Sequence, residues 1–251
     1  MSIETFKILA YSWMVFATLI FLVLMKVTAP YGRHTSLRWG PMIGNRTGWI
    51  LMEMPGMMVL VYFLLSSTPR PNAMIWILSS FFLFHYIHRT FIYPFRIRTN
   101  SKRMPLLIAF FGILFNLMNG FLLGYHFTRF NGQTLDDLVS PRFIAGALLF
   151  IFGVYVNWKY DNHLIHLRQP GETGYKIPEG GLFKWVSCPN LLGEIIEWTG
   201  FAIVCWNLAA LSFLVWTIAN LVPRAISHHK WYKSHFKAYP VRRKAIIPYL
   251  V

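Results

Sequence analysis

Glu53 stands in the apolar run Leu51-Met-Glu-Met-Pro55, four residues past Trp49, where hydropathy starts a membrane span. A charged carboxylate at that depth costs about 2.5 to 3.5 kcal/mol on insertion scales, so the group must be protonated or paired. An ionisable residue so placed marks function by default, with an interhelical hydrogen bond as the structural alternative. A second concentration of polar chemistry is His85-Tyr-Ile-His-Arg-Thr-Phe-Ile-Tyr93. At 3.6 residues per turn, Tyr86, Arg89 and Tyr93 share one helix face and His85, His88 and Ile92 another. Tyr and Arg also serve as anchors at a membrane interface, so this segment alone leaves its role open.

A third group gathers where later spans end: Asn157 and Asp161, then Arg168, then Asn190, Glu194 and Glu197, and last Arg224, His228 and Tyr232. The four-residue spacing puts Asn157 and Asp161 on one helix face and Arg224, His228 and Tyr232 on another. Carboxylates and amides set among cations suit an anionic, hydrogen-bonding ligand; a snorkelling, solvated rim is the alternative. The His pairs 85/88, 163/166 and 228/229 include no His-x-x-His-His and have few carboxylates beside them, so a metal site is not expected. Gly-x-Gly-x-x-Gly is absent, and Gly120-x-x-x-Gly124 has the spacing of helix packing.

These residues require a membrane scaffold. The 251 residues are 55% hydrophobic and 13% charged, where a soluble domain carries about 25% charge. A soluble domain, a disordered chain and a collagen-like repeat are excluded, and Cys188 and Cys205 make no disulfide framework. One domain covering residues 1–251 is the simplest organisation. Runs near the length of a span fall at 8–25, 49–65, 73–91, 104–128 and 143–158. The first, with no Ala-x-Ala site after it, reads as a retained span. The stretch 191–222 as one helix would be about 48 Å long, against a hydrocarbon core of about 30 Å, so a break is expected near 206–210. The sixth span is then short and must lean on protein.

Charge sets the orientation. Lys and Arg number 24 against 9 Asp and Glu, a net of +15, which in a soluble protein would suggest nucleic acid and here points to the positive-inside rule. With seven spans and the N-terminus outside, only Lys7, Arg70, Arg129 and Arg142 lie outside, leaving 20 basic residues inside; six spans would divide them 11 to 13. The expectation is an all-α bundle of seven transmembrane helices with a cytoplasmic C-terminus. The polar connection 159–190, punctuated by Pro and Gly, falls on the inner face as a candidate binding loop.

Several motifs then carry a family resemblance: Tyr31-Gly-Arg-His-Thr35, Met52-Glu-Met-Pro55, the segment from His85 to Tyr93, Asn119-Gly120 and Arg168-Gln-Pro-Gly-Glu172. To these are added Tyr175-Lys-Ile-Pro-Glu-Gly-Gly-Leu-Phe183, Asn190-Leu-Leu-Gly-Glu-Ile-Ile-Glu-Trp198, His228 to Tyr232, and Arg243-Lys-Ala-Ile-Ile-Pro248. Along most of its length the sequence resembles the membrane-embedded steroid 5α-reductases. The resemblance implies an oxidoreductase acting on CH–CH groups, a seven-helix bundle holding NADPH, and a 3-oxo-Δ4-steroid beside the nicotinamide. Carried over residue by residue, Glu53 and Tyr86 are the pair that hydrogen-bonds the 3-oxo oxygen. Asn157, Asp161, Arg168, Asn190, Glu194, His228 and Tyr232 match positions that contact NADPH, and Arg98 and Lys102 serve its phosphates.

The stretch from Tyr93 to Pro105 is longer than the vertebrate pattern, and Lys176 stands where an Arg is common, removing a bidentate fork. Tyr31 to Thr35 would form a lid near the cofactor entrance, with a simple turn as the alternative. The implied partners are the steroid and the lipid bilayer, with no nucleic acid; a monomer is compatible, and the oligomeric state stays open. The membrane is the endoplasmic reticulum in a eukaryote and the inner membrane in a bacterium. A related membrane reductase acting on enoyl thioesters is the nearest alternative, and a proton-coupled transporter is one of a different class.

Overall fold

The computed structural model describes residues 1–97, 102–169, 172 and 174–251. Among the described residues, five helices are long and apolar enough to cross a membrane: α1 (Ile3–Lys26), α2 (Asn45–Ser66), α5 (Leu106–Arg129), α6 (Pro141–His166) and α8 (Leu208–His235). Between them lie α3 (Ala73–Ile87), the short α4 (Tyr93–Arg96) and α7 (Pro189–Cys205). On α1 only Phe6, Ala10 and Ala17 are buried, and apolar residues such as Val15, Leu19 and Leu22 face outward, as lipid contact requires.

The run expected as one span over 73–91 is a 15-residue α-helix followed by a π-helical turn, His88–Ile92. Pro94 supplies the cause. It has no N–H to give and its ring would collide with the carbonyl four residues back. The chain widens one turn instead, and Tyr93 N–H bonds to the carbonyl of His88. The overlong stretch breaks inside the expected interval. Trp206 adopts the left-handed conformation (φ 47°, ψ 46°), and the Asn207 side chain caps α8 by accepting from Ala210 N–H at 2.9 Å.

Among the described residues, one short sheet stands outside the helices of this mostly helical chain. Strands β1 (Met42–Gly44) and β2 (Arg103–Pro105) pair antiparallel, Ile43 opposite Met104, and the ladder is extended by Leu106 N–H to Pro41 O at 2.8 Å. These strands feed directly into α2 and α5, which lie side by side. Their approaches therefore run adjacent, and each satisfies the other's backbone groups.

Two glycine seams set the helix spacing. A Cβ at Gly120 would stand 2.7 Å from the Gly56 carbonyl oxygen and one at Gly124 2.6 Å from the Phe63 ring, so the Gly120-x-x-x-Gly124 pattern does pack α5 on α2. The closer seam joins α6 to α7. A Cβ at Gly153 would lie 2.7 Å from the Gly193 oxygen, and one at Gly200 2.6 Å from the Gly146 oxygen. With backbones this close, polar side chains near the C-terminal end of α6 and the N-terminal end of α7 can meet.

At the same end the tail returns to the bundle. Ser187 N–H donates to Lys244 O at 2.8 Å, and the Ser187 hydroxyl donates to that carbonyl at 2.9 Å. The same hydroxyl lies 2.7 Å from His229 Nδ1 and 2.6 Å from the Tyr239 hydroxyl.

Candidate active site

The functional side chains form three tiers along the bundle. The deepest joins α2, α3 and α5. Tyr86 donates to Asn116 Oδ1 at 2.5 Å, and Asn116 Nδ2 donates to the carbonyl of Met52 at 2.6 Å. Glu53 follows on α2, with Arg89, His85 and Glu194 near enough for their charges to act on its carboxyl. Phe82 stacks on Tyr86 at 4.3 Å between centroids, and Trp198 and Phe213 close the tier from α7 and α8. His85 meets Glu197 at 2.7 Å, both buried; among the described residues Glu197 Oε2 has no hydrogen-bond partner.

The middle tier is the product of the α6–α7 seam. Asn157 Nδ2 donates to Asn190 O at 3.0 Å and Glu194 Oε2 at 3.4 Å, while Asn190 Nδ2 donates to Asp161 Oδ1 at 2.8 Å. Four of the five residues singled out on these two helices thus form one network, and the fifth, Glu197, pairs with His85. Arg89 joins it from the π-helical turn, 3.6 Å from Asp161 and 4.0 Å from Glu194, with its guanidinium over the Trp49 and Tyr93 rings. Arg89 keeps 11% and Glu194 13% of its side-chain surface accessible, so the cluster is within reach of a bound molecule.

The third tier lies at the rim of the bundle, beyond the middle tier. The stripe Arg224, His228 and Tyr232 on α8 meets the segment before β1 residue by residue. Arg224 donates to Ala29 O at 2.9 Å and Tyr31 O at 2.8 Å, His228 shares a 3.1 Å hydrogen bond with His34, and Tyr232 accepts from Arg33 at 3.1 Å. Burial, reinforced by the charges of Arg224 and Arg33, lowers the His34 pKa to about 4. Three cations converge on the Tyr175 ring: Arg33 at 5.3 Å, Lys102 at 5.5 Å and Arg168 at 5.9 Å. Arg33 NH1 is buried without a hydrogen-bond partner among the described residues. Lys176 is held by Glu172 at 2.6 Å. Arg98 lies outside the described residues.

Asn116, Arg33 and Tyr175 were not among the sequence-predicted site residues. Asn116 had a signal, a lone amide within Leu114-Phe-Asn-Leu117, whereas Arg33 and Tyr175 gain meaning only from what faces them. A cavity of about 450 Å³ opens at the opposite end of the bundle, lined by Phe6, Tyr11, His126, Phe130, Gln133 and Trp206 among others. No sequence-predicted site residue lines it.

Residues 102–251 match the family model described as 3-oxo-5-alpha-steroid 4-dehydrogenase. The chain is 41% identical over 227 residues to steroid 5-alpha-reductase DET2 of Gossypium hirsutum, covering 88% of each. It is 39% identical over 249 residues to steroid 5-alpha-reductase DET2 of Solanum lycopersicum, covering 98% of this chain and 96% of that one. With 3-oxo-5-alpha-steroid 4-dehydrogenase 1 of Bos taurus the identity is 37% over 247 residues, covering 97% and 96%. A membrane bundle with its polar residues gathered in three inward-facing tiers, and relatives aligned nearly end to end, lead to one assignment: the chain belongs to the steroid 5-alpha-reductase (3-oxo-5-alpha-steroid 4-dehydrogenase) family, oxidoreductases acting on CH–CH groups.

Proposed function

We propose that this protein uses NADPH to reduce the C4–C5 double bond of 3-oxo-Δ4-steroids to the 5α products. The observation that carries the reading is the deepest tier, where the Tyr86 hydroxyl is tied through Asn116 to the peptide that leads into Glu53, inside an apolar, aromatic-walled region. Two hydrogen-bonding groups are held close together there. NADPH, when bound, supplies the hydride that adds to C5.

The chain's own residues do the rest. Negative charge develops on the 3-oxo oxygen as the enone is reduced, and donors already aimed at that oxygen stabilise the transition state. Tyr86 donates from its hydroxyl and Glu53 from its protonated carboxyl, a carboxylic acid held neutral by its site. C4 then gains a proton, completing the addition of two hydrogens across the double bond.

The rim fits the cofactor by the chemistry of its donors. Arg33 NH1 is unsatisfied among the described residues, and Arg33, Lys102 and Arg168 gather at one aromatic ring, an arrangement suited to phosphate oxygens. His228 and Tyr232 border that cluster, and the amides and carboxylates of Asn157, Asp161, Asn190 and Glu194 offer hydrogen bonds deeper in. In this reading seven helices span the bilayer, with the N-terminus outside and the cofactor rim and C-terminus on the cytoplasmic side. The split of basic residues favours that orientation.

The test is purified protein with NADPH and testosterone, progesterone or an enoyl-CoA, following cofactor absorbance and product mass. Saturated 5α-steroid is the expected product. Turnover of the thioester with none of the steroids refutes the reading. Glu53→Ala and Tyr86→Phe should each lose turnover while still binding NADPH; a variant with full turnover removes that residue from the carbonyl site.

A further inference from the structure

Asn116 is buried to 2% exposure in the middle of α5 and makes two short hydrogen bonds in opposite directions. One partner decides the other. The Met52 carbonyl can only accept, so the amide nitrogen of Asn116 must point at it, which leaves the amide oxygen for Tyr86. Tyr86 must then be the donor in that bond. The carbonyl that Asn116 grips belongs to the peptide linking Met52 to Glu53, so one side chain on α5 fastens the hydroxyl of Tyr86 on α3 to the turn of α2 that carries Glu53. A Cβ added at the adjacent Gly56 would stand 3.1 Å from Asn116 Oδ1 and 3.4 Å from the Tyr86 ring. The clamp therefore sits in a site with little room to shift.

We propose that Asn116 is a positioning residue for the reduction, setting the spacing of Tyr86 and Glu53 and holding the Tyr86 proton until a steroid carbonyl competes for it. The inference rests on the assignment of those two residues to the 3-oxo group. In this role Asn116 acts through Tyr86, through the Met52 peptide and on the Glu53 carboxyl, with which its side chain also interacts.

Three variants test it, each with NADPH binding measured as a check on folding. Asn116→Leu keeps the approximate volume and removes both bonds, and should lower kcat about 10- to 100-fold, the range for breaking a buried hydrogen-bonded pair. Introduced together with Tyr86→Phe, it should add little to the loss from Tyr86→Phe alone, because the tyrosine link is already gone. Asn116→Asp supplies the discriminating readout. A neutral aspartic acid has one donor and one acceptor and can replace both bonds, whereas the carboxylate cannot donate to Met52 O. Its activity should approach wild type at low pH and fall as pH rises, with its descending limb at lower pH than in wild type.

Full kcat in Asn116→Leu, fully multiplicative losses in the double variant, or an Asn116→Asp pH profile parallel to wild type each overturn the inference. Those results leave the reductase reading standing if Tyr86→Phe is itself inactive. A fully active Tyr86→Phe brings down the assignment of Tyr86 and this inference with it.

Discussion

Gly153→Ala tests whether the α6–α7 seam builds the middle tier. The added Cβ would lie 2.7 Å from the Gly193 carbonyl oxygen and 2.5 Å from the Glu197 Cα. Both are backbone atoms that no rotamer change can move aside. Ordinary contact begins near 3.4 Å, so the helices must part by roughly 1 Å in an interior packed like a crystal. The Asn157 to Asn190 O bond, 3.0 Å long, would then exceed hydrogen-bonding distance, and the 2.8 Å and 3.4 Å bonds beside it would stretch equally. Overpacking costs about 1 to 3 kcal/mol and each of the three lost bonds about 1 kcal/mol, so the total is about 4 to 6 kcal/mol. At roughly 2 to 4 °C per kcal/mol for a chain of this size, the midpoint should fall by about 10 to 20 °C. NADPH should bind about tenfold more weakly as the network loosens. Tryptophan-fluorescence melting and cofactor titration of the purified protein read both effects, with Gly132→Ala, where a Cβ meets nothing within 4 Å, as control. A Gly153→Ala protein with the control's midpoint and NADPH affinity would refute the idea that backbone contact sets the site.

Other perturbations separate the tiers. Arg33→Ala removes the bond to Tyr232 and one of the three cations around Tyr175; it should raise the KM for NADPH about 10- to 100-fold and leave the steroid KM unchanged, as initial rates will show. Because the folded His34 titrates near pH 4 and a free histidine near 6.5, the unfolded chain takes up a proton there that the folded one refuses. The His34 contribution to stability is therefore complete above pH 6.5 and lost as pH falls toward 4, so melting curves across that window should slope less in His34→Gln. Ser187→Ala strips three partners from the hydroxyl that fastens the tail, and limited proteolysis should cut the residues after His235 faster than in wild type, with α1 to α7 cleaved at the unaltered rate.

Much of this arrangement was legible in the sequence because helical spacing and membrane cost are local rules. The four-residue stripe Arg224, His228, Tyr232 emerged as one face, and Asn157 and Asp161 did meet Asn190. The break after Cys205 followed from length alone. The turn at His88 to Ile92 was missed because an apolar run reads the same whether wound as α or π, and only the effect of Pro94 distinguishes them. The β1–β2 ladder is three residues a side, too short for an alternation pattern to register. Asn116 stood apart as an amide among apolar neighbours, but its importance depends on Tyr86, 30 residues away, and on a backbone carbonyl that no side-chain pattern encodes.

The π-helical turn also governs how this protein tolerates changes in length. It holds one surplus residue within the third helix, so everything after it keeps its bearing. Deleting a residue from His88 to Ile92 would let the turn relax to ordinary winding, at about 100° and 1.5 Å per residue. The segment after it would keep its bearing, with Arg96 still facing the Asn162 side chain it reaches at 2.7 Å and the Pro94 carbonyl still facing Arg46, from which it accepts at 3.1 Å. A single deletion there would be absorbed by the turn, whereas the same deletion in the regular winding of α3 would rotate all that follows by about 100°.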